Sequence, residues 1–468
     1  MGTNHACIAL VAGVLCTGAA DVMGQRLYHA KYLVHPSPLG GTIRPEHMNN
    51  SAQVIAQLTN VAAGGWRHDP DGTWVRVTGL RVNGSGSTSP VWTNDAGQVC
   101  GQAENSAGGH EACLWDEQMG AVGCGDFFWS DPRLYNSYAR GVNNNGHVCG
   151  SASAWDPFMG TAARQAFLWT REAGMVGLGD LPGGPTHSQA TGINDHDWIV
   201  GTSLVTNYRY EPFLWMPDTG MINLADWEFG KFDASTPFAI NNHGEITGTG
   251  GPVGGYSDGF IWDFERGFRP LGHLPDTGTH PRDINELGVV VGYSAANGPD
   301  IAFIWDETKG IRDLNTLLDE YSRQLPQYRR PYRPLTWAHA INDHGQVLAS
   351  WSKSNAAILT PFLLADMNDD GAVDAEDIAG FVAALVDREA YAATRTGYWH
   401  EGWAADLNQD ARIDVRDIDP FLRAIADFSG PKLPAWNCPI NLPAHAGDTT
   451  HDQNAELPPR ARPGSAGE

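Results

Sequence analysis

Between residues 41 and 350 the chain alternates short apolar runs with turns rich in Asn, Asp and Gly, and one such unit returns seven times. The copies are "HMNNSAQVIAQ", "WTNDAGQVCGQ", "GVNNNGHVCGS", "GINDHDWIVGT", "AINNHGEITGT", "DINELGVVVGY" and "AINDHGQVLAS". Their asparagines, Asn49, Asn94, Asn143, Asn194, Asn241, Asn285 and Asn342, stand 44 to 57 residues apart. A period of that length signals a repeat architecture with one supersecondary motif per unit. Asn and Gly suit a tight turn because both tolerate positive φ, so the flanking apolar and β-branched residues read as a hairpin. A third strand follows at residues 166–169, 212–215, 259–262 and 302–305, each of the form "AFLW". A Gly-containing turn then leads to a fourth strand, such as "GMVGLGDLP". A four-stranded meander has too little core to stand alone, and seven copies predict seven blades.

The ends of the repeat region bear on its topology. The seventh unit offers only two or three strands, "GQVLASW" and "AAILTPFLL", while residues 27–34 supply one orphan strand ahead of the first unit. Pairing the first strand with the last blade hides two sheet edges and closes a ring. An open solenoid is the alternative, since a period alone does not separate rings from stacks.

Beyond residue 363 the periodicity changes. Ile378, Phe381, Val382 and Leu385 fall at helical spacing, and Ile418, Phe421, Leu422 and Ile425 repeat the same offsets. The two helical runs are thus expected to pack face to face. Each is preceded by an oxygen-rich loop, "DMNDDGAVDAED" and "DLNQDARIDVRD". Asp366, Asn368, Asp370, Asp374 and Asp377 recur forty residues later as Asp406, Asn408, Asp410, Asp414 and Asp417. Carboxylates and amides at positions 1, 3, 5, 9 and 12 of a twelve-residue loop, with the carbonyl of position 7 (Ala372 or Arg412), form a calcium ligand set, so two ions are expected. Neither loop has the entering helix of an ordinary EF-hand, and both carry Asp at position 12. In these respects residues 363–430 resemble the type I dockerin family. The resemblance implies calcium-dependent folding and docking onto a cohesin-type domain, read by loop positions 10 and 11: Ala375 and Glu376, then Val415 and Arg416. The repeats similarly resemble the "HAF" extracellular repeat family, on residues 165–167 and 301–303, which implies architecture and export but no reaction.

The overall reading is mostly β: a seven-bladed propeller-like domain over residues 25–362, then a small α-helical dockerin-like unit, then a disordered tail from 431 to 468. The formal charge of −24 argues against nucleic acid, which requires a dense Lys/Arg footprint. Residues 6–20, "ACIALVAGVLCTGAA", read as a signal-peptide core within residues 1–24, too short to span a bilayer, and predict a secreted or cell-surface protein. Export would permit a disulfide between Cys100 and Cys113; buried thiols are the other reading, and Cys124, Cys149 and Cys438 show no zinc spacing.

No nucleophile, zinc or nucleotide motif is present. Asp180, Asp226, Asp233, Glu245 and Asp283 are candidate carboxylates for glycoside hydrolysis, and equally ordinary turn acids. Trp115, Trp169, Trp215, Trp262 and Trp305 are either a sugar-stacking ring or packing between blades. The insertion "SRQLPQYRRPYRPLTW" carries Arg323, Arg329, Arg330 and Arg333, which would suit an anionic glycan, or form a plain solvated loop. Two functions remain: a non-catalytic binding or scaffold protein attached through its dockerin, or a polysaccharide-degrading enzyme built on a propeller.

Overall fold

The computed structural model describes residues 27–427 apart from residues 35, 37–40, 60–63, 82–85, 128–135, 157–159, 206–208, 227–232, 252–257, 276, 296–298, 320–321, 323–333, 353–354, 368–372, 374, 388–390, 392–402, 408–412 and 414–415. The signal-peptide core, the tail, Cys438 and the four insertion arginines lie outside the described residues.

Each repeat forms one four-stranded antiparallel sheet in simple meander order, and seven such sheets make a seven-bladed β-propeller. The innermost strands are Ile43–Met48, Thr88–Thr93, Tyr138–Val142, Ser188–Ile193, Asp233–Ile240, Gly278–Ile284 and Trp337–Ile341, in blades 1 to 7. The expected third strands are present, and their Phe167, Phe213, Phe260 and Phe303 are fully buried between blades. Trp115, Trp169, Trp262 and Trp305 are buried in the same inter-blade clusters, with Trp215 packed against a neighbouring one. They are core residues, so the sugar-stacking ring does not form.

Every innermost strand carries a β-bulge three residues before its Asn, at Glu46, Val91, Arg140, Thr191, Phe238, Arg282 and His339. Beside the bulge the backbone comes close to the second strand, where blades 2 to 6 carry Gly101, Gly150, Gly201, Gly248 and Gly292 and blades 1 and 7 carry Ala56 and Ala349. A Cβ on Gly150 would lie 1.9 Å from the carbonyl oxygen of Tyr138. At Gly150 only a residue without a side chain fits that approach.

The N-terminal strand Leu27–Tyr32 pairs antiparallel with Asn355–Phe362, from Leu27 opposite Phe362 to Tyr32 opposite Ala357. It completes blade 7, whose own three strands follow in order. Three further bonds hold it to the segment after blade 6: His29 Nδ1 to Asp319 Oδ2 at 2.8 Å, the Ala30 N–H to Ser322 Oγ at 2.9 Å, and the Asp319 N–H to the Tyr28 carbonyl at 3.0 Å. The repeat is therefore a closed ring and not an open solenoid.

Cys100 lies opposite Leu114, and Cys113 opposite Gly101, in the same strand pair. Neighbouring register positions face opposite sides of a sheet, so the two sulfurs cannot meet across the hairpin. Cys100, Cys113, Cys124 and Cys149 are buried free thiols, and burial pushes Cys113 and Cys149 up to about 12.

After the propeller, helix α1 (Ile378–Val386) and helix α2 (Ile418–Asp427) each follow a loop. Their common core is built from residues forty apart: Ala365 with Ala405, Met367 with Leu407, Phe381 with Phe421, and Ala384 with Ala424. Phe381 stacks on Phe421 with ring centroids 3.8 Å apart and planes within 5°. Only part of each apolar run faces inward. Ile378, Val382 and Val386 on α1, and Ile418 and Leu422 on α2, are exposed.

Candidate functional site: the propeller channel and the C-terminal duplication

The repeat asparagines surround the channel axis at one mouth. In each turn the Asn side-chain oxygen accepts the N–H of the residue four positions on, as Asn194 Oδ1 does from Trp198 at 3.0 Å. Its Nδ2 donates to the backbone carbonyl of the next blade's Asn. The chain of donors runs Asn49, Asn94, Asn143, Asn194, Asn241, Asn285, Asn342 and back to Asn49, at 2.8 to 3.4 Å. These Asn side chains cap a turn and clasp a neighbour at once, a demand that a preference for positive φ does not explain. The left-handed position is the fourth of each turn, filled by Gly in five blades and by Ala52 (φ 52) and Asp197 (φ 59) in two.

A second ring lies one residue further on. The backbone N–H groups of Asn50, Asp95, Asn144, Asp195, Asn242, Glu286 and Asp343 each donate to the side chain of the next member, at 2.8 to 3.1 Å. Amides sit between carboxylates: Asn144 Nδ2 donates to both Asp95 and Asp195, at 3.2 and 3.1 Å. Burial raises the Glu286 carboxyl, and Asp343 adds to the shift. Every acid here thus accepts a backbone N–H, which is structural work. The ring's signal in the sequence is an acid or Asn directly after each repeat Asn.

Deeper in the channel, the position two before each Asn is Gly or Ala in four blades, with Ala340 in blade 7 one of them, and is His47, Trp92 and Asp283 in blades 1, 2 and 6 with Gly or Ala elsewhere. His47 stacks on Trp92 with centroids 3.6 Å apart, and its Nε2 lies 3.8 Å from Asp283 Oδ2. Asp283 accepts the N–H of Ile284 and of Ile341, each at 2.9 Å. Trp92 also packs against the cluster of Ala239 and Ile284 on blades 5 and 6, so these side chains plug the channel. Burial holds His47 down at about 3 and pushes Asp283 up to about 7. Both groups are held toward their neutral forms.

On the other side of the plug the bulge residues take over. Arg44, Arg140 and Arg282 are exposed and lie within electrostatic reach of half-buried Glu46, whose carboxyl is raised by burial against their pull. A cavity of about 250 Å³ is lined by Arg44, Glu46, Arg282, Trp337, His339 and Ser350, among others. Trp337 stacks on Tyr293 at 4.3 Å, and its Nε1 donates to Asp300 at 2.9 Å. His339 bonds to Ser350 Oγ at 2.9 Å and is held at about 3 by burial and by Arg282.

The remaining candidate acids are scattered. Asp180 accepts the His187 N–H and is raised by burial, Glu245 accepts from Asn241, and Asp226 is exposed. Only Asp283 enters the channel, where it is part of the plug. The side chain of Asp233 lies outside those the structure describes.

In the C-terminal duplication the first and last positions of both loops are within the described residues. Asp366, Asp377, Asp406 and Asp417 are 1%, 0%, 5% and 0% exposed. Asp377 Oδ1 accepts the Met367 N–H at 2.7 Å, tying the first loop's ends together. Four buried carboxylates thus border one small apolar core, and a buried carboxylate needs a hydrogen-bond partner or a cation. Asn368, Asp370, Ala372, Asp374, Asn408, Asp410, Arg412 and Asp414 lie outside the described residues. Among those described, no cluster of three or more acids, His or Cys could hold a metal. Ala375, Glu376 and Arg416 flank the helices, whereas Val415 lies outside. Among the described residues no helix is long and apolar enough to cross a membrane.

No family model matches the chain, and no curated protein matches it. Among solved structures it is similar to the uncomplexed acylaminoacyl peptidase of Pyrococcus horikoshii, at 12% identity and a TM-score of 0.43, over 67% of this chain and 50% of that one. It is also similar to TolB from Acinetobacter baumannii, at 14% identity and a TM-score of 0.36, over 62% of this chain and 66% of that one. A third is the β-propeller domain of the Trilobed protease from Pyrococcus furiosus, at 10% identity and a TM-score of 0.32, over 64% of this chain and 98% of that one. The chain spans about half the length of the peptidase. The propeller assignment rests on the strand pairing of this chain itself.

Proposed function

We propose that this is an exported, non-catalytic recognition protein: a propeller that binds a glycan at its open mouth, joined to a calcium-dependent dockerin-like unit that docks onto a cohesin-type partner. The carrying observation is the pair of apolar stripes left uncovered on the duplicated helices, Ile378, Val382 and Val386 on one and Ile418 and Leu422 on the other. Contiguous exposed apolar side chains on a small unit are the usual mark of a protein-binding face. Calcium, when bound, would neutralise the loop carboxylates. Asp366, Asn368, Asp370, Asp374 and Asp377, with the Ala372 carbonyl, would hold one ion; Asp406, Asn408, Asp410, Asp414 and Asp417, with the Arg412 carbonyl, would hold the other. Against an enzymatic reading, the carboxylates at the acidic mouth are engaged by backbone N–H groups.

Calorimetry of the full chain with calcium and with chelator tests the reading. Chelation should abolish a C-terminal transition and leave the propeller transition in place. A cohesin domain should then bind only with calcium, and Val382→Asp with Leu422→Asp should weaken binding at least tenfold. An unchanged melting profile in chelator rejects the calcium role. Calcium-dependent folding with full affinity in the double variant rejects the stripes as the docking face.

A further inference from the structure

The chain carries 54 acidic residues against 30 Lys and Arg, yet one end of its channel gathers three arginines around a single acid. Arg140 and Arg282 hold the bulge position of blades 3 and 6, Glu46 and His339 hold it in blades 1 and 7, and Arg44 stands two residues before Glu46. A bulge re-aims the side chain it carries, and here it turns residues of separate blades toward one mouth. Val91, Thr191 and Phe238, at the same position in blades 2, 4 and 5, are uncharged. Among the described residues none of the three guanidinium groups is in an ion pair, a state they share with Arg76, Arg164 and Arg171, and Arg282 lies over the Trp337 ring at 5.9 Å from its centroid. The charge is concentrated at one mouth and is not neutralised by an ion pair.

We infer that this mouth is a binding site for a carboxylate-bearing sugar, a uronate unit of an acidic polysaccharide. Arginine presents a planar fork that matches a carboxylate with two parallel hydrogen bonds. The cavity between Arg44 and Arg282 is about 250 Å³, just under the roughly 300 Å³ at which small-molecule sites begin. That volume suits one residue of a polymer whose neighbours lie outside. Its walls combine an aromatic surface, Trp337, held by Tyr293 and Asp300, with short hydrogen-bonding groups on Thr336, Ser350 and His339. An aromatic wall with hydroxyl partners is sugar chemistry; an acidic peptide would gain little from it. Neutral His339 can accept or donate a hydrogen bond without adding charge. The plug of His47, Trp92 and Asp283 makes the site a closed-ended cup.

The inference rests on the propeller being a glycan-recognition module and names its ligand class. Titration calorimetry of the full chain with a galacturonate or glucuronate oligosaccharide, its carboxyl-reduced neutral counterpart and an oligoglutamate peptide tests it. The uronate should bind, weakening with salt, and the other two should not bind measurably. Arg282→Ala and Arg140→Ala should each lower uronate affinity about tenfold, with Arg266→Ala, on the outer part of blade 5, as the unaffected control. Equal binding of the neutral oligosaccharide with Arg282→Ala unaffected overturns this inference and leaves glycan recognition standing. Tighter binding of oligoglutamate, or no binding to any of the three, overturns both.

Discussion

Asn194 shows how much one side chain carries in this ring. Its Oδ1 accepts from His196 and Trp198 in part-buried bonds, and its Nδ2 reaches the Asn241 carbonyl in a buried one, all at 3.0 Å. Asn194→Ala strands those backbone groups, and stranded buried groups cost roughly 1–3 kcal/mol each where water cannot reach them. The expected loss is about 2–4 kcal/mol in urea denaturation, and a loss under about 0.5 kcal/mol would show that the clasp is dispensable. Asp283 makes a pH-dependent contribution. Its folded pKa, about 7, lies above the ordinary 3.8, so the unfolded chain releases this proton first as pH rises. The associated stability is complete below about pH 3.8 and is lost as pH climbs through 7. Asp283→Asn should therefore flatten the decline of the melting temperature between pH 5 and 8. A variant that declines as steeply as the parent places the titration elsewhere.

At the level of the element, the N-terminal strand is the clearest case of a long-range demand. Leu27, Tyr28 and Ala30 are buried against blade 7 or its neighbours, and Leu33 beyond the strand is buried as well. Burying such side chains is worth about 1.5–3 kcal/mol for each large one. Removing residues 27–32 should lower stability by about 5 kcal/mol and leave Asn355–Phe362 as a bare edge; an unchanged thermal midpoint would contradict the closure. The strand was legible because the last repeat is short by one strand and the first is preceded by one too many. Third strands were legible through their "FLW" cores. The bulges were not, because their occupants are Glu, Val, Arg, Thr, Phe, Arg and His. A position whose residue type changes among acid, base, apolar and hydroxyl from copy to copy leaves no periodic trace, although backbone geometry fixes its place. The same limit hid the channel plug, whose His47, Trp92 and Asp283 replace Gly and Ala. The helical spacing of residues 378–385 was read correctly as a helix, but spacing alone did not reveal which of its apolar residues stay exposed.

For the whole molecule, one channel has two unlike ends separated by the plug of His47, Trp92 and Asp283. At one end carboxylates alternate with amides and are consumed in holding the blades together. At the other, Arg44, Arg140 and Arg282 make no ion pair among the described residues, and Arg282 lies over the Trp337 ring at 5.9 Å from its centroid. Exchange of ions or solutes through the axis is blocked by Trp92, so a ligand at the arginine mouth meets a floor and must leave by the way it entered. Because the propeller's first strand pairs with its last, the ring can close only after some 330 residues separating the partners of that pairing, roughly Leu27 to Phe362, have been laid down. Such distant pairings fold slowly and leave an edge exposed in the meantime.

The second ring also has a consequence of parity. Going round it, amide and acid alternate as Asn50, Asp95, Asn144, Asp195, Asn242 and Glu286, and then Asp343 meets Asn50 again. Strict alternation around an odd-membered circle is impossible, so at least one pair of like neighbours must occur. An even number of blades could avoid one. Here the mismatch falls between Glu286 and Asp343, and the longer side chain sits on one side of it, with His243 Nδ1 3.3 Å from the Glu286 carboxylate. Counting alone thus singles out one seam, between blades 6 and 7, in a ring whose blades otherwise repeat.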